Sequence, residues 1–469
     1  MIFNSFVFVA FYLVVLALYW NLPRRWRWSM LLVASCGFYM AFVPVYILIL
    51  FFTIGVDFWA GQLIERSQGR TRERWLTASI VANLGVLAFF KYYAFLNENL
   101  SALLGGVGIG FRAPELGILL PIGLSFHTFQ SLAYTIEVYR GNQRAERHLG
   151  YFALYVMYFP QLVAGPIERA EHLLPQLRNP PAHWDHARFR AGIAQALFGL
   201  FKKVCVADTL ALHVNAVYNS HSLQGGADLL LATALFAFQI YCDFSGYSDI
   251  AVGVARMMGV DLMENFRLPY FSKSVTEFWQ RWHISLSTWL RDYLYIPLGG
   301  NRHGRWMTYR NLMLTMLLGG LWHGASWNFV IWGGANGAFL SAERALGVKA
   351  GAPVPWYLRP FRVLFCFLLI CFTWVFFRAQ SFAQAMDILH GIGTWRGEPY
   401  IRDLGVFLNL SVMLAALLAF EFLFLRGRTM QDLARRWGDA RTALFCALVL
   451  VVIGLFGVSD GSQFIYFQF

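Results

Sequence analysis

Apolar runs long enough to cross a bilayer recur along the whole chain. They cover 1–20, 29–63, 76–96, 115–136, 149–165, 191–217, 227–258, 311–340, 362–377, 404–425 and 442–458, and the second is long enough for two crossings. A spanning helix needs roughly 20 such residues. Hydrocarbon offers no water to an unpaired peptide group, so each crossing must satisfy its own backbone. The pattern predicts an all-α polytopic membrane protein with about 10–12 transmembrane helices and some re-entrant or interfacial ones. Composition agrees. Of 469 residues, 58% are apolar and 14% charged, against about 45–50% and about 25% in a soluble domain.

Charge placement orients the chain. Met-Ile-Phe-Asn-Ser precedes the first apolar run and Arg24, Arg25 and Arg27 follow it. That is the reverse of a cleavable signal peptide. Under the positive-inside rule it predicts an anchor with its N-terminus outside. The basic loops at Arg66–Arg74, Arg140–Arg147 and Arg426–Arg441 also fit the cytoplasmic side, which leaves the C-terminus outside. The formal charge of +12 is absorbed by loop retention and lipid headgroups, and a nucleic-acid partner is not expected. The six cysteines lie in or beside apolar runs without a CxxC pair, so neither a disulfide framework nor a metal site is expected.

No linker or repeat divides the chain, and a single membrane-embedded domain over 1–469 is expected. Its first 100 and last 110 residues look like lipid-facing helices. Residues 121–340 differ, because their apolar segments carry ionisable groups. Such groups are costly in hydrocarbon and usually face a cavity or the bundle interior.

Four stretches concentrate this polarity. In Pro121–Gln130 the spacing puts His127, Gln130 and Ser131 on one helical side, suited to hydrogen bonds between helices. In Phe159–Arg169, Pro160, Gly165 and Pro166 should break the helix, and Glu168 and Arg169 can mark the membrane edge. In Tyr241–Asp249, Asp243, Ser245 and Asp249 suit a structural network or pairing with an arginine elsewhere, as well as a proton relay or a metal site. In Phe278–Arg302, Trp282 and Trp289 share a stripe while Arg281, Arg291 and Asp292 supply polarity, as in an interfacial or re-entrant helix. His283 sits within it.

The most telling residue is His323, in Leu317-Leu-Gly-Gly-Leu-Trp-His-Gly-Ala-Ser-Trp-Asn328. Counted along one uninterrupted helix it lies near the middle of the hydrocarbon. The glycines at 319, 320, 324, 333, 334 and 337 permit close approach of backbone or ligand. A desolvated imidazole stays neutral and can accept a proton from a hydroxyl. A histidine that only bonds a neighbouring helix fits the same facts.

Taken together, Pro121–Gly141, Phe159–Arg169, Asp243–Gly259, Glu277–Arg302, Asn311–Ala325 and the terminal Phe464-Ile-Tyr-Phe-Gln-Phe469 resemble the membrane-bound O-acyltransferase family. The branch they are most similar to acetylates alginate, with cellulose-acetylating relatives. One position departs from it, since His127 stands where that branch is expected to carry an aromatic residue. The resemblance implies a ring of tilted helices around a central tunnel, with a catalytic middle over 121–340 and an extracytoplasmic aromatic tail over 459–469. It places the family's essential histidine at His323 and its second polar position at His283. Trp322, Asn328, Trp282, Arg281, Arg291, Asp292, Asp243, Ser245 and Asp249 would line or support the tunnel, and Tyr466 would relay the acyl group. It implies no tightly bound cofactor or metal, and acetyl-CoA or an acyl-carrier thioester as donor. The implied partners are the lipid bilayer, a periplasmic SGNH-type acetyltransferase or esterase-like protein, and a polysaccharide synthase or export complex. Three alternatives stay open: transfer of D-alanyl or another acyl group to an envelope polymer, a transporter without catalysis, whose broken helices and buried charge would look similar, and a non-catalytic scaffold for a polysaccharide synthase.

Overall fold

The computed structural model describes the chain except residues 112, 115, 118–119, 164, 398–403, 425–428, 459–463 and 466–469, with backbone alone for 404–407 and 409. All regular secondary structure among the described residues is helical, with no strand. Five helices are long and apolar enough to cross a membrane: Pro44–Arg66, Gly69–Gly106, Gly226–Met257, Arg359–Arg378 and Met430–Phe456. Phe6–Asn21 and Leu410–Phe424 are apolar but shorter. Several of the remaining expected runs are interrupted. The run at 149–165 breaks after Met157, and that at 311–340 turns back after His323.

Contacts sort the chain into two compact units. The first comprises Met1–Trp184, Met258–Met263 and Gly324–Ser326. Its Gly69–Gly106 helix has a lipid-facing character, with only 17% of its most apolar stretch buried. The expected break is present: helix Leu149–Met157 ends and Phe159–Leu162 makes one further turn. The Phe159 N–H goes to the Ser35 hydroxyl at 3.1 Å instead of back to Tyr155. The orphaned Tyr155 carbonyl is capped by the amides of Gln130 at 2.6 Å and Gln161 at 2.8 Å, because a bare carbonyl inside a bilayer is costly. Gln130 thus bonds between helices as expected. His127 is buried and neither of its ring nitrogens meets a hydrogen-bond partner among the described residues. Glu168 is buried, bonded to His172 at 2.7 Å and to the Met263 N–H at 2.5 Å.

The second unit comprises Asp185–Met257, Glu264–His323 and Trp327–Phe469. Its axis is helix Gly226–Met257, 78% buried along its most apolar stretch. Helix His186–Phe201 lies against it through small residues, the device helices use where water supplies no drive to associate. A Cβ at Gly192 or Gly199 would stand 2.7 or 2.6 Å from the carbonyl oxygen of Gly253 or Gly246. Past Phe201 the chain widens into a π turn, Lys202–Ala207, before helix Asp208–Asn219. The last helix, Met430–Phe456, is only 17% buried along its apolar stretch. Helix Leu404–Phe424 is less ordinary than its composition suggests, because it carries the buried carboxylate Glu421, which accepts the Tyr241 hydroxyl.

Candidate active site

His323 is the last residue of helix Gly304–His323, and a new helix, Trp327–Ala345, starts four residues later. The two pack along their lengths. A Cβ on Gly320 would stand 2.2 Å from the Phe329 carbonyl oxygen, and one on Gly333 would stand 2.2 Å from that of Met316. The apolar run is therefore a helical hairpin, and counting depth along a single helix misplaces His323. It sits 4% exposed at a helix end. Gly320 and Gly333 serve backbone approach between the two arms.

His283 comes from a second break. Helix Val275–Arg281 stops, and helix Ile284–Leu290 begins with His283 as its cap in the left-handed region, φ 43° and ψ 55°. A side-chain-bearing residue holds that conformation at a cost of about 1–3 kcal/mol, so its surroundings must impose it. Three contacts do. The Ile284 N–H donates to the Asn265 carbonyl at 2.9 Å, the Arg267 N–H to the Arg281 carbonyl at 2.9 Å, and the Ser287 hydroxyl to the Trp282 carbonyl at 3.1 Å. The break also means that Trp282 and Trp289 do not share the stripe of one continuous helix; both are buried, Trp282 in the break itself and Trp289 on the helix that follows.

The two breaks bring the histidines together, with ring centroids 6.5 Å apart. Aromatic rings enclose them. Trp322 and Trp332 each lie 5.0 Å from His323, and Phe377 lies 5.5 Å away. Phe244 meets His283 edge-on at 4.6 Å. Trp332 stacks on Trp374 at 5.9 Å, and Trp374 contacts Trp282 at 5.1 Å. The indole N–H groups of Trp282, Trp332 and Trp374 are buried without an acceptor among the described residues. Each can donate to an oxygen that enters.

A charged layer lies beside this pair. Lys203 reaches Asp208 at 2.6 Å and Asp243 at 2.7 Å, and all three are buried. Lys202 pairs with Asp249 and donates to Ser245 at 3.1 Å. Asp243 and Asp249 thus face different cations, as their spacing requires. Their partners are consecutive lysines in the π turn. Asp243 also accepts the backbone N–H of Ile465 at 2.6 Å. Phe464 then packs 4.6 Å from Tyr247 and 5.6 Å from Phe244, the ring that touches His283. Tyr466 lies outside the described residues.

The other expected site residues turn elsewhere. Arg281 bonds Glu277 at 2.6 Å, and Arg291 bonds Asp292 at 2.7 Å with its side chain 59% exposed. Asn328 is buried and donates to the Ala379 carbonyl at 2.8 Å.

Comparison with known proteins decides the family. The profile of MBOAT, the membrane-bound O-acyltransferase family, matches residues 140–349. The probable alginate O-acetylase AlgI of Pseudomonas aeruginosa is 43% identical over 434 residues, covering 91% of this chain and 82% of that one. The chain belongs to the membrane-bound O-acyltransferase family. The corresponding protein of Pseudomonas putida is 39% identical over 495 residues and covers both chains completely. A peptidoglycan O-acetyltransferase of Helicobacter pylori is 34% identical over 402 residues, 79% of this chain and 73% of that one. This membrane-embedded O-acyltransferase keeps its paired histidines in the second unit. Asn265 and Trp332 touch the pair directly, while Trp374, Lys202, Lys203 and Glu421 act one contact or more away; the sequence singled out none of the six. Asn265 is a polar residue in a connecting loop, and the two lysines sit inside the apolar run 191–217, where nothing local distinguishes them.

Proposed function

We propose that this acyltransferase moves an acetyl group from a cytoplasmic thioester, acetyl-CoA or an acyl-carrier thioester, to a hydroxyl on the outer side of the bacterial inner membrane, for acetylation of an alginate-type exopolysaccharide. The observation that carries the reading is the burial of His283 and His323 with centroids 6.5 Å apart. One reacting oxygen can lie within the roughly 2.6–3.2 Å reach of both rings.

The step balances without a metal. The acceptor oxygen attacks the thioester carbonyl carbon while its proton passes to the His323 imidazole. The carbon–sulfur bond then breaks, and the imidazolium returns the proton to the departing thiolate. His283 orients the acceptor. Buried indole donors at Trp282, Trp332 and Trp374 suit the oxygen on which negative charge grows. Holding both reactants in a dry enclosure contributes much of the rate.

The tail completes the reading. Phe464 and Ile465 are seated against Phe244, Tyr247 and Asp243, which favours Tyr466, one residue further on, as a relay that accepts the acetyl group. From there it would pass to a periplasmic esterase-like acetyltransferase working with the polysaccharide export machinery. The alginate assignment rests on relatives that carry that name.

The test is the acetyl content of secreted polymer in cells carrying His323→Ala at wild-type membrane abundance. The reading predicts polymer without acetyl esters. Normal acetylation would leave His323 a structural residue and remove the proposed chemistry.

A further inference from the structure

His283 Nδ1 lies 3.0 Å from the side-chain oxygen of Asn265. The same oxygen accepts the Ser285 backbone N–H at 3.3 Å and the Ser285 hydroxyl at 2.9 Å. A backbone N–H can only donate, so the atom facing it is the amide oxygen and not the amide nitrogen. The Asn265 amide nitrogen in turn donates to the Ser248 hydroxyl at 3.2 Å on helix Gly226–Met257. Asn265, His283, Ser285 and Ser248 are all buried, so water does not compete for these bonds.

An amide oxygen held in this way has only acceptor capacity to offer, and Nδ1 must therefore carry the proton. In a neutral imidazole one nitrogen donates and the other accepts. Which is which follows from the bond its partner imposes.

We propose that Asn265 is the positioning residue that holds His283 as its Nδ1–H tautomer and places the lone pair on Nε2. The inference rests on the reading of the histidine pair as the acyl-transfer site, and adds which nitrogen of His283 is left to accept a hydrogen bond, the reacting hydroxyl giving its own proton to His323. Asparagine suits the task in a desolvated setting. It orients the ring as a carboxylate would, without adding a buried charge. The left-handed backbone at His283 belongs to the same device, because the Ile284 N–H is held by the Asn265 backbone carbonyl. One residue thus aims the ring through its side chain and sets the break through its backbone.

The test compares full-length wild type, Asn265→Ala and Asn265→Asp in lipid nanodiscs, with histidine nitrogens isotopically labelled for NMR. The signals of His283 are identified by their loss in His283→Gln. The wild type is expected to show a protonated Nδ1 and an unprotonated Nε2. Asn265→Ala should shift the balance toward Nε2–H, and Asn265→Asp, which keeps an acceptor, should restore the wild-type pattern. With acetyl-CoA as donor, kcat should fall about 10- to 100-fold in Asn265→Ala with KM changed less than about twofold, and recover in part in Asn265→Asp. A wild-type His283 protonated at Nε2, or a tautomer that Asn265→Ala leaves unchanged, overturns the inference whatever the activity. A tautomer that moves while acetyl transfer stays at the wild-type rate keeps the positioning role and removes His283 from the chemistry. Should Asn265→Ala not fold, the wild-type and Asn265→Asp spectra still decide whether Nδ1 carries the proton.

Discussion

Asp243 accepts the backbone N–H of Ile465 at 2.6 Å while its other oxygen holds Lys203 at 2.7 Å. One buried carboxylate therefore ties the tail to the π turn that follows helix His186–Phe201. The tail is tied at a second point, because the Val458 N–H donates to the Val204 carbonyl, a π-turn residue, at 3.0 Å. The expanded turn leaves Val204 oxygen facing the tail and directs Lys202 and Lys203 toward Asp249 and Asp243.

The charge cluster should be unforgiving of single changes. Asp243→Ala leaves Lys203 with Asp208 alone and releases the tail. Removing one partner of a buried pair costs roughly 3–5 kcal/mol. The expected result is a lower thermal midpoint of the detergent-solubilised protein together with loss of acetyl transfer. Lys203→Met combined with Asp243→Asn and Asp208→Asn should recover much of the thermal midpoint, since apolar replacement of a whole buried cluster is often neutral. It should not recover transfer. A thermal midpoint unchanged by Asp243→Ala would show that the cluster contributes nothing to stability.

The hairpin beneath His323 distinguishes its glycines. A Cβ at Gly320 meets the Phe329 carbonyl oxygen at 2.2 Å, whereas one at Gly334 meets only a Leu317 side-chain carbon at 3.5 Å. Gly320→Ala should destabilise by about 1–3 kcal/mol through overpacking and reduce activity by moving His323. Gly334→Ala should be tolerated or slightly stabilising, because alanine is the better helix former. Thermal midpoints and acetyl transfer measured side by side on the two variants check this. Equal tolerance at both positions would mean that the two arms are not in close contact.

The tail relay makes a separate prediction. Tyr466→Phe keeps an aromatic ring and removes the nucleophilic oxygen. Polymer acetylation should fall to the level of His323→Ala while membrane abundance stays at that of the wild type. Mass spectrometry of the wild-type C-terminal peptide, trapped in a strain lacking the proposed periplasmic acetyltransferase, should show an acetyl adduct on Tyr466. Fully acetylated polymer from the Tyr466→Phe strain would send the acetyl group directly to its acceptor.

Much of this was legible in the residues, and the exceptions share a cause. The run at 227–258 matches helix Gly226–Met257 almost residue for residue, since nothing in it interrupts backbone pairing. Pro160, Gly165 and Pro166 announce the break after Met157, because proline removes a donor and the freed carbonyl needs another. The turn at Gly324–Ser326 carries no proline or charge, so 311–340 looks like one helix although it is two. The kink at His283 is equally silent, being imposed from Asn265, eighteen positions earlier in the chain. Lys202 and Lys203 stand inside the apolar run 191–217 with nothing nearby in sequence to account for them, until the carboxylates of another helix are placed opposite them. Local chemistry thus shows in the sequence wherever the chain itself breaks a helix. It stays hidden wherever a distant side chain does.

The central claim is that His283 and His323 act together on one acceptor. Groups that act as a unit lose activity non-additively. The most direct measurement is acetyl transfer from radiolabelled acetyl-CoA by purified protein in nanodiscs, for His283→Gln, His323→Gln and the double variant at matched folded amounts. The account predicts that each single change lowers kcat by at least about 100-fold, within the range general acid–base groups contribute, and that the double variant is no slower than the slower single. Full activity in His323→Gln, or losses that multiply in the double variant, would contradict it.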